Sequence, residues 1–182
     1  MFEVGAGGFR VVMSNDAPHG LDERRVAVDR PGNIDEDRPE VYVLVHRAGG
    51  APTLLVIGRT REGFGCGVHV VPDTGVMFFG CGESVCAYDM ATGTRLHQDI
   101  TPYAFHSWNR HGDIVLMSGE LEVAGFALDG TKLWSAAVES PWDYGVTGAN
   151  MYTLVMGHKV EFPLQSGPGD RPLVERPVAS EG

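Results

Sequence analysis

The sequence predicts an all-β fold of short antiparallel strands, and three observations predict it. No window of ten or more residues free of Gly and Pro carries apolar residues at i, i+3, i+4 and i+7. Short runs of Val, Leu, Phe, Tyr and Thr recur, bounded by Gly, Pro, Asn and Asp. With 25 glycines and 11 prolines in 182 residues, turn signals interrupt the chain throughout.

Taken in order, the expected strands are Phe9–Met13, Arg25–Val28, Val41–His46, Thr53–Arg59, Val68–Val71, Val76–Phe79, Val85–Tyr88, Ile114–Met117, Val123–Leu128, Leu133–Val138, Tyr152–Met156 and Val160–Phe162. The polar, Pro- and Asp-rich stretches 14–24 and 29–40 make residues 1–40 an irregular N-terminal part. Residues 40–166 are expected to hold the regular sheets, within a single domain 1–166. Residues 167–182 carry three prolines and few packing residues and are expected to be a disordered tail.

A repeat organises the middle of the chain. Val76–Gly80 is followed by Tyr88-Asp89 and Thr92-Gly93-Thr94-Arg95-Leu96. Ile114–Gly119 is followed by Phe126-Ala127-Leu128-Asp129-Gly130-Thr131-Lys132-Leu133-Trp134. A third, degraded copy runs from Met151 to Gly167, without the basic residue and the Trp. The turn glycines Gly93, Gly130 and Gly167 stand 37 residues apart. Each unit reads as an apolar strand, a second strand carrying an aromatic, a glycine turn and a return strand.

These units resemble β-propeller blades of the quinoprotein or WD40 type, over roughly three to four blades. The resemblance implies propeller-like antiparallel sheets from repeats of about 37 residues; a β-sandwich built from similar hairpins is the alternative. It does not extend to quinone chemistry, because neither vicinal cysteines nor calcium ligands of that kind are present.

Charge limits the partners. Lys and Arg total 14 against 24 Asp and Glu, a net charge of −10. That balance argues against nucleic acid or an anionic membrane, both of which need a basic footprint. No run of about 20 apolar residues exists to form a membrane helix. The N-terminus lacks the features of a secretory signal, so the chain is expected to be cytoplasmic, with its three cysteines reduced.

Candidate chemistry is sparse. Phe64-Gly65-Cys66-Gly67 and Phe79-Gly80-Cys81-Gly82 repeat one tetrapeptide on either side of the turn Pro72-Asp73-Thr74-Gly75. If Asp73 and Thr74 are the turn residues, Cys66 and Cys81 face each other across an antiparallel ladder. Such a pair can hold a metal, with His69 as a further candidate ligand, can close a redox disulfide, or can be two small buried residues. Asn33-Ile34-Asp35-Glu36-Asp37 begins like a calcium loop but lacks its later glycine and carboxylate. No cofactor is expected.

Two aromatic stretches are the candidate recognition surface. One is Tyr103-Ala104-Phe105-His106-Ser107-Trp108-Asn109-Arg110-His111; the other is Pro141-Trp142-Asp143-Tyr144-Gly145, one repeat later. Read as loops on one face, they offer Tyr103, Phe105, His106, Trp108, Arg110, Trp142 and Tyr144 to a protein partner. The leading expectation is therefore a non-catalytic binding protein, with homo-oligomerisation open. The alternatives are a metal- or redox-dependent enzyme or sensor centred on Cys66 and Cys81, and a structural subunit of a larger assembly.

Overall fold

A computed structural model describes residues 1–22, 26–32, 38–60 and 64–174. Sixteen strands follow one another, with no helix among the described residues. In order they are β1 (Phe2–Ala6), β2 (Phe9–Ser14), β3 (Ala27–Asp29), β4 (Glu40–Arg47), β5 (Pro52–Arg59), β6 (Cys66–Val71), β7 (Val76–Cys81) and β8 (Ser84–Asp89). Then come β9 (Arg95–Ile100), β10 (Phe105–His111), β11 (Ile114–Gly119), β12 (Glu122–Ala127), β13 (Lys132–Ala137), β14 (Trp142–Thr147), β15 (Asn150–Val155) and β16 (His158–Pro163).

They form four sheets, each from consecutive chain. The first has the order β1-β2-β4-β5-β3, with β3 parallel to β5. The second is the meander β6 to β9, the third β10 to β13 and the fourth β14 to β16. This is the propeller-like arrangement of small blades, not the two large sheets of a sandwich.

The N-terminal part holds more strand than expected: β2 covers the expected Phe9–Met13, and β1 adds an unexpected partner for it. Gly7 and Gly8, with φ of 58° and 80°, close a two-residue hairpin between β1 and β2. Two consecutive positive φ values match the right-handed strand twist, and glycine adopts them without a Cβ clash. Both strands then join the first sheet. The stretch Asn33–Asp37 lies outside the described residues.

Hydrophobic clusters join the sheets pairwise. Val11, Val43, Val45, Leu54 and Val56 of the first sheet pack on Met77, Phe79, Cys86 and Tyr88 of the second. The opposite side of the second sheet, with Val76, Phe78 and Ala87, meets Val115, Met117, Ala124 and Phe126 of the third. Ile114, Leu116 and Trp134 on the far side of the third meet Met151, Val155 and Phe162 of the fourth. Strand alternation makes this possible, since residues of opposite parity serve opposite neighbours. Among the described residues, no cluster joins the first sheet to the fourth.

The repeat glycines serve these junctions. Gly93, Gly130 and Gly167 all have positive φ. A Cβ on them would lie 2.8 Å from the Ala27 side chain, 3.0 Å from the Ala87 side chain and 2.5 Å from the Trp134 ring, respectively. Each turn thus presses its bare backbone onto the preceding sheet. Hydrogen bonds reinforce the contact: Thr53 Oγ1 donates to the carbonyl of Met90 (3.0 Å), Thr74 Oγ1 to that of Leu128 (2.6 Å), and Trp134 Nε1 to that of Leu164 (2.8 Å).

The fourth sheet has three strands, because residues 169–174, which the period would make its fourth, hold Gly169 in the left-handed region and Pro172. Proline cannot donate to a ladder. The segment instead turns back, and Leu173 is buried beside Trp134 in the last cluster. The expected tail from 167 is thus corrected for residues 167–174; residues 175–182 lie outside the described residues. The outer face of this sheet is largely polar, with Leu154 exposed between Asp143 and Lys159. Tyr152 lies against Gly145 with Lys159 Nζ 4.2 Å above its ring, and Asn150 faces Glu161.

Candidate functional site

The two aromatic stretches are not loops. They are β10 and β14, the first strands of the third and fourth sheets. Their polar residues hide the apolar alternation that marks the other strands. In β10 the register also shifts between Phe105 and Ser107. Residues three apart on a regular strand face opposite ways. The bulge turns Phe105 and Trp108 to the same side, with ring centroids 5.4 Å apart.

That side is the core, so two expected contact residues are corrected. Phe105 is 1% exposed and Trp108 9%. Phe105 rests on the facing glycines Gly67 and Gly80. Trp108 meets the rings of Phe78 and Phe126. The repeated Gly-Cys-Gly is therefore a seat for Phe105 on one side of the second sheet.

The same alternation separates the proposed metal ligands. Cys66 and Cys81 do face each other, as the turn geometry requires, and they form a disulfide with Cα atoms 4.1 Å apart. They lie toward the first sheet. His69, three residues from Cys66, lies on the opposite side, where burial and the nearby Arg110 push its pKa down. The three do not converge, and no group of three or more His, Cys, Asp or Glu among the described residues is arranged to hold a metal. The disulfide stands where reduced thiols were expected; Cys86 is free and buried.

The remaining contact residues divide. Arg110 is at the far end of β10, where it pairs with Asp73 at 3.1 Å. Tyr103 is 63% exposed on the segment entering β10, and its φ is 70°. A bulky side chain in that region is uncommon and costs of order 1 kcal/mol or more.

His106, Trp142 and Tyr144 come together. They line a cleft of about 230 Å³ between the third and fourth sheets, with Ser118, Pro141 and Asp143. The bulge releases His106 from the ladder, and its Nε2 lies 3.0 Å from Glu120 Oε2. Trp142 donates its indole N–H to the carbonyls of Gly119 and Glu120, each at 3.2 Å. Tyr144 stacks beside Trp142, ring centroids 6.1 Å apart at 29°. Its far side meets the edge of His111. Burial pushes the Tyr144 hydroxyl upward in pKa, and the Asp143 carboxylate adds to that, against a hydrogen bond with Asn109.

The aromatic wall is thus held by the neighbouring sheet. Glu120 and Asp143 were not singled out from the sequence. The register puts Glu120, next after Gly119, opposite Ala104; its contact with His106 is made by the two side chains beside the bulge, which no local signal in the sequence marks.

No protein-family model and no curated protein sequence matches the chain. Partial likeness to solved structures exists. Sqt1 of Saccharomyces cerevisiae aligns with a TM-score of 0.43 and 13% identity, over 69% of this chain and 41% of that one. BamB of Moraxella catarrhalis gives 0.40 and 12%, over 72% and 41%. A chain of a mitotic checkpoint complex gives 0.41 and 16%, over 79% and 47%. The chain spans less than half the length of each of these propeller proteins.

Proposed function

We propose that this protein is a binding module that engages a protein partner at the junction of its third and fourth sheets. The observation that carries the reading is the preorganised wall of Trp142 and Tyr144, part-exposed in a cleft and fixed through the indole N–H to the backbone at Gly119 and Glu120. Rigid aromatic side chains contribute large contact area at low entropic cost, which is why they concentrate in binding hot spots. Tyr103, exposed and strained on the segment leading into β10, extends the same reading. An acidic module of this kind would work by association, without chemistry of its own.

The test is affinity purification from the source cells with three baits. These are the wild type, a Trp142→Ala/Tyr144→Ala variant, and a Lys159→Ala/Glu161→Gln variant altered on the largely polar outer face. A stoichiometric partner kept by the first and third and lost by the second is expected. Equal recovery by all three overturns the assignment of this cleft.

The Cys66–Cys81 disulfide favours a second reading, a redox-responsive module. Cys66 borders a cleft of about 410 Å³ lined also by Phe64, Thr60 and Met13. An external dithiol would open the bridge by exchange, leaving two protein thiols and its own disulfide. Partner affinity that is equal for oxidised and dithiol-reduced protein overturns this reading.

A further inference from the structure

We infer that the cleft between β10 and β14 receives a cationic side chain, arginine foremost, from a basic segment of the partner. This rests on the reading of the junction as a protein-binding site and names the chemistry it selects. The cleft pairs aromatic faces with a neighbouring carboxylate. Trp142 and Tyr144 form one wall and Glu120 stands beside His106, while Asp143, between the two aromatics on β14, accepts from the Tyr144 backbone N–H.

Each component favours a cation. An aromatic face attracts a guanidinium or ammonium through its negative quadrupole, most strongly for Trp. Carboxylates supply charge-assisted hydrogen bonds, and only arginine offers a planar fork able to bond and stack together. Among the described residues, His106 is the single basic group lining the cleft. Its Nε2 faces Glu120 in a pair that is half exposed on the histidine side, so an entering guanidinium can take over that carboxylate as partner.

The frame is also fixed in the right place. The backbone of Glu120 accepts from Trp142 and its own N–H donates to Ala104 at 2.8 Å. The carboxylate-bearing residue and the indole are therefore spaced by the fold, not by side-chain chance. The net charge of −10 draws basic segments toward the surface as a whole.

The experiment follows the indole ¹H–¹⁵N resonances of Trp108, Trp134 and Trp142 in the full chain. Trp142 is assigned with Trp142→Phe. The probes are N-acetyl-arginine methylamide and, as an uncharged apolar control, N-acetyl-norleucine methylamide. A saturable shift of the Trp142 resonance with arginine is expected, at least fivefold weaker with norleucine. The shift should fall at least fivefold in Glu120→Gln/Asp143→Asn, with the Trp108 and Trp134 resonances unmoved as evidence of an intact fold. No shift, equal shifts for both probes, or an unaffected double variant each overturns the inference. A partner still lost by Trp142→Ala/Tyr144→Ala when the arginine probe gives nothing leaves the binding reading in place and removes only the cationic specificity.

Discussion

The ring of Phe105 occupies the space that a side chain on Gly80 would need. A Cβ at Gly80 would lie 2.3 Å from the ring, and one at Gly67, its cross-strand partner, 3.2 Å. Gly80→Ala therefore forces the ring out of its seat between the second and third sheets. Overpacking of this kind costs about 1–3 kcal/mol. Emptying the seat with Phe105→Ala costs about 3–5 kcal/mol. Urea unfolding should show both, and a Gly80→Ala protein as stable as the wild type would contradict the packing described.

This contact also shows where the sequence was legible and where it was not. The fold class, the period of 37 and the facing of Cys66 and Cys81 follow from turn glycines and alternation, which are local signals. Strands β10 and β14 escaped because their sequences are polar on one side, and a bulge at His106 breaks the alternation of β10. Tertiary context alone tells Trp108, enclosed by Phe78 and Phe126, from Trp142, set in a cleft. Likewise, alternation argues against His69 joining Cys66, but only once the span of β6 is known.

Tyr88 ties the N-terminal segment to the second sheet. Its ring is fully buried, and its hydroxyl donates to Asp29 Oδ2 at 2.7 Å, while Arg95 pairs with the same carboxylate at 3.0 Å. Tyr88→Phe keeps the ring and removes a bond to a charged acceptor. The expected loss is about 1.5–3 kcal/mol in denaturant unfolding. Arg95→Gln should cost less, because its side chain is 37% exposed. The reverse order would mean that the pairing, not the buried hydroxyl, holds β3 in place.

Glu40 makes part of the stability depend on acid. It accepts from the Tyr42 hydroxyl and pairs with Arg59 at 2.6 Å, and these bonds hold its carboxyl below the usual range. A folded-state pKa below the unfolded value of about 4.3 means the contribution is fully present above that value. It is lost as pH falls through the depressed folded-state pKa. Glu40→Gln should therefore be less stable than wild type at neutral pH, with the difference shrinking below about pH 4. Melting temperatures from pH 7 to pH 3 check this, and a constant difference would contradict it.

The cysteines should differ sharply in reactivity. Cys66 and Cys81 are bridged, and breaking the bridge releases a constraint on a loop of 15 residues. The chain-entropy account puts that at about 3 kcal/mol, so reduced protein should melt several degrees lower. Cys86 is 1% exposed, and burial pushes its thiol up to about 12, against a weaker opposing contribution from Tyr88. Thiolate is the reactive form, so native Cys86 should resist alkylation. Iodoacetamide followed by mass measurement should find no modification on oxidised native protein, one, at part-exposed Cys66, after mild reduction, and three only after reduction and unfolding, because Cys81 is 1% exposed like Cys86. Rapid labelling of Cys86 in the native state would show that the second sheet opens where its two neighbours are expected to keep it closed.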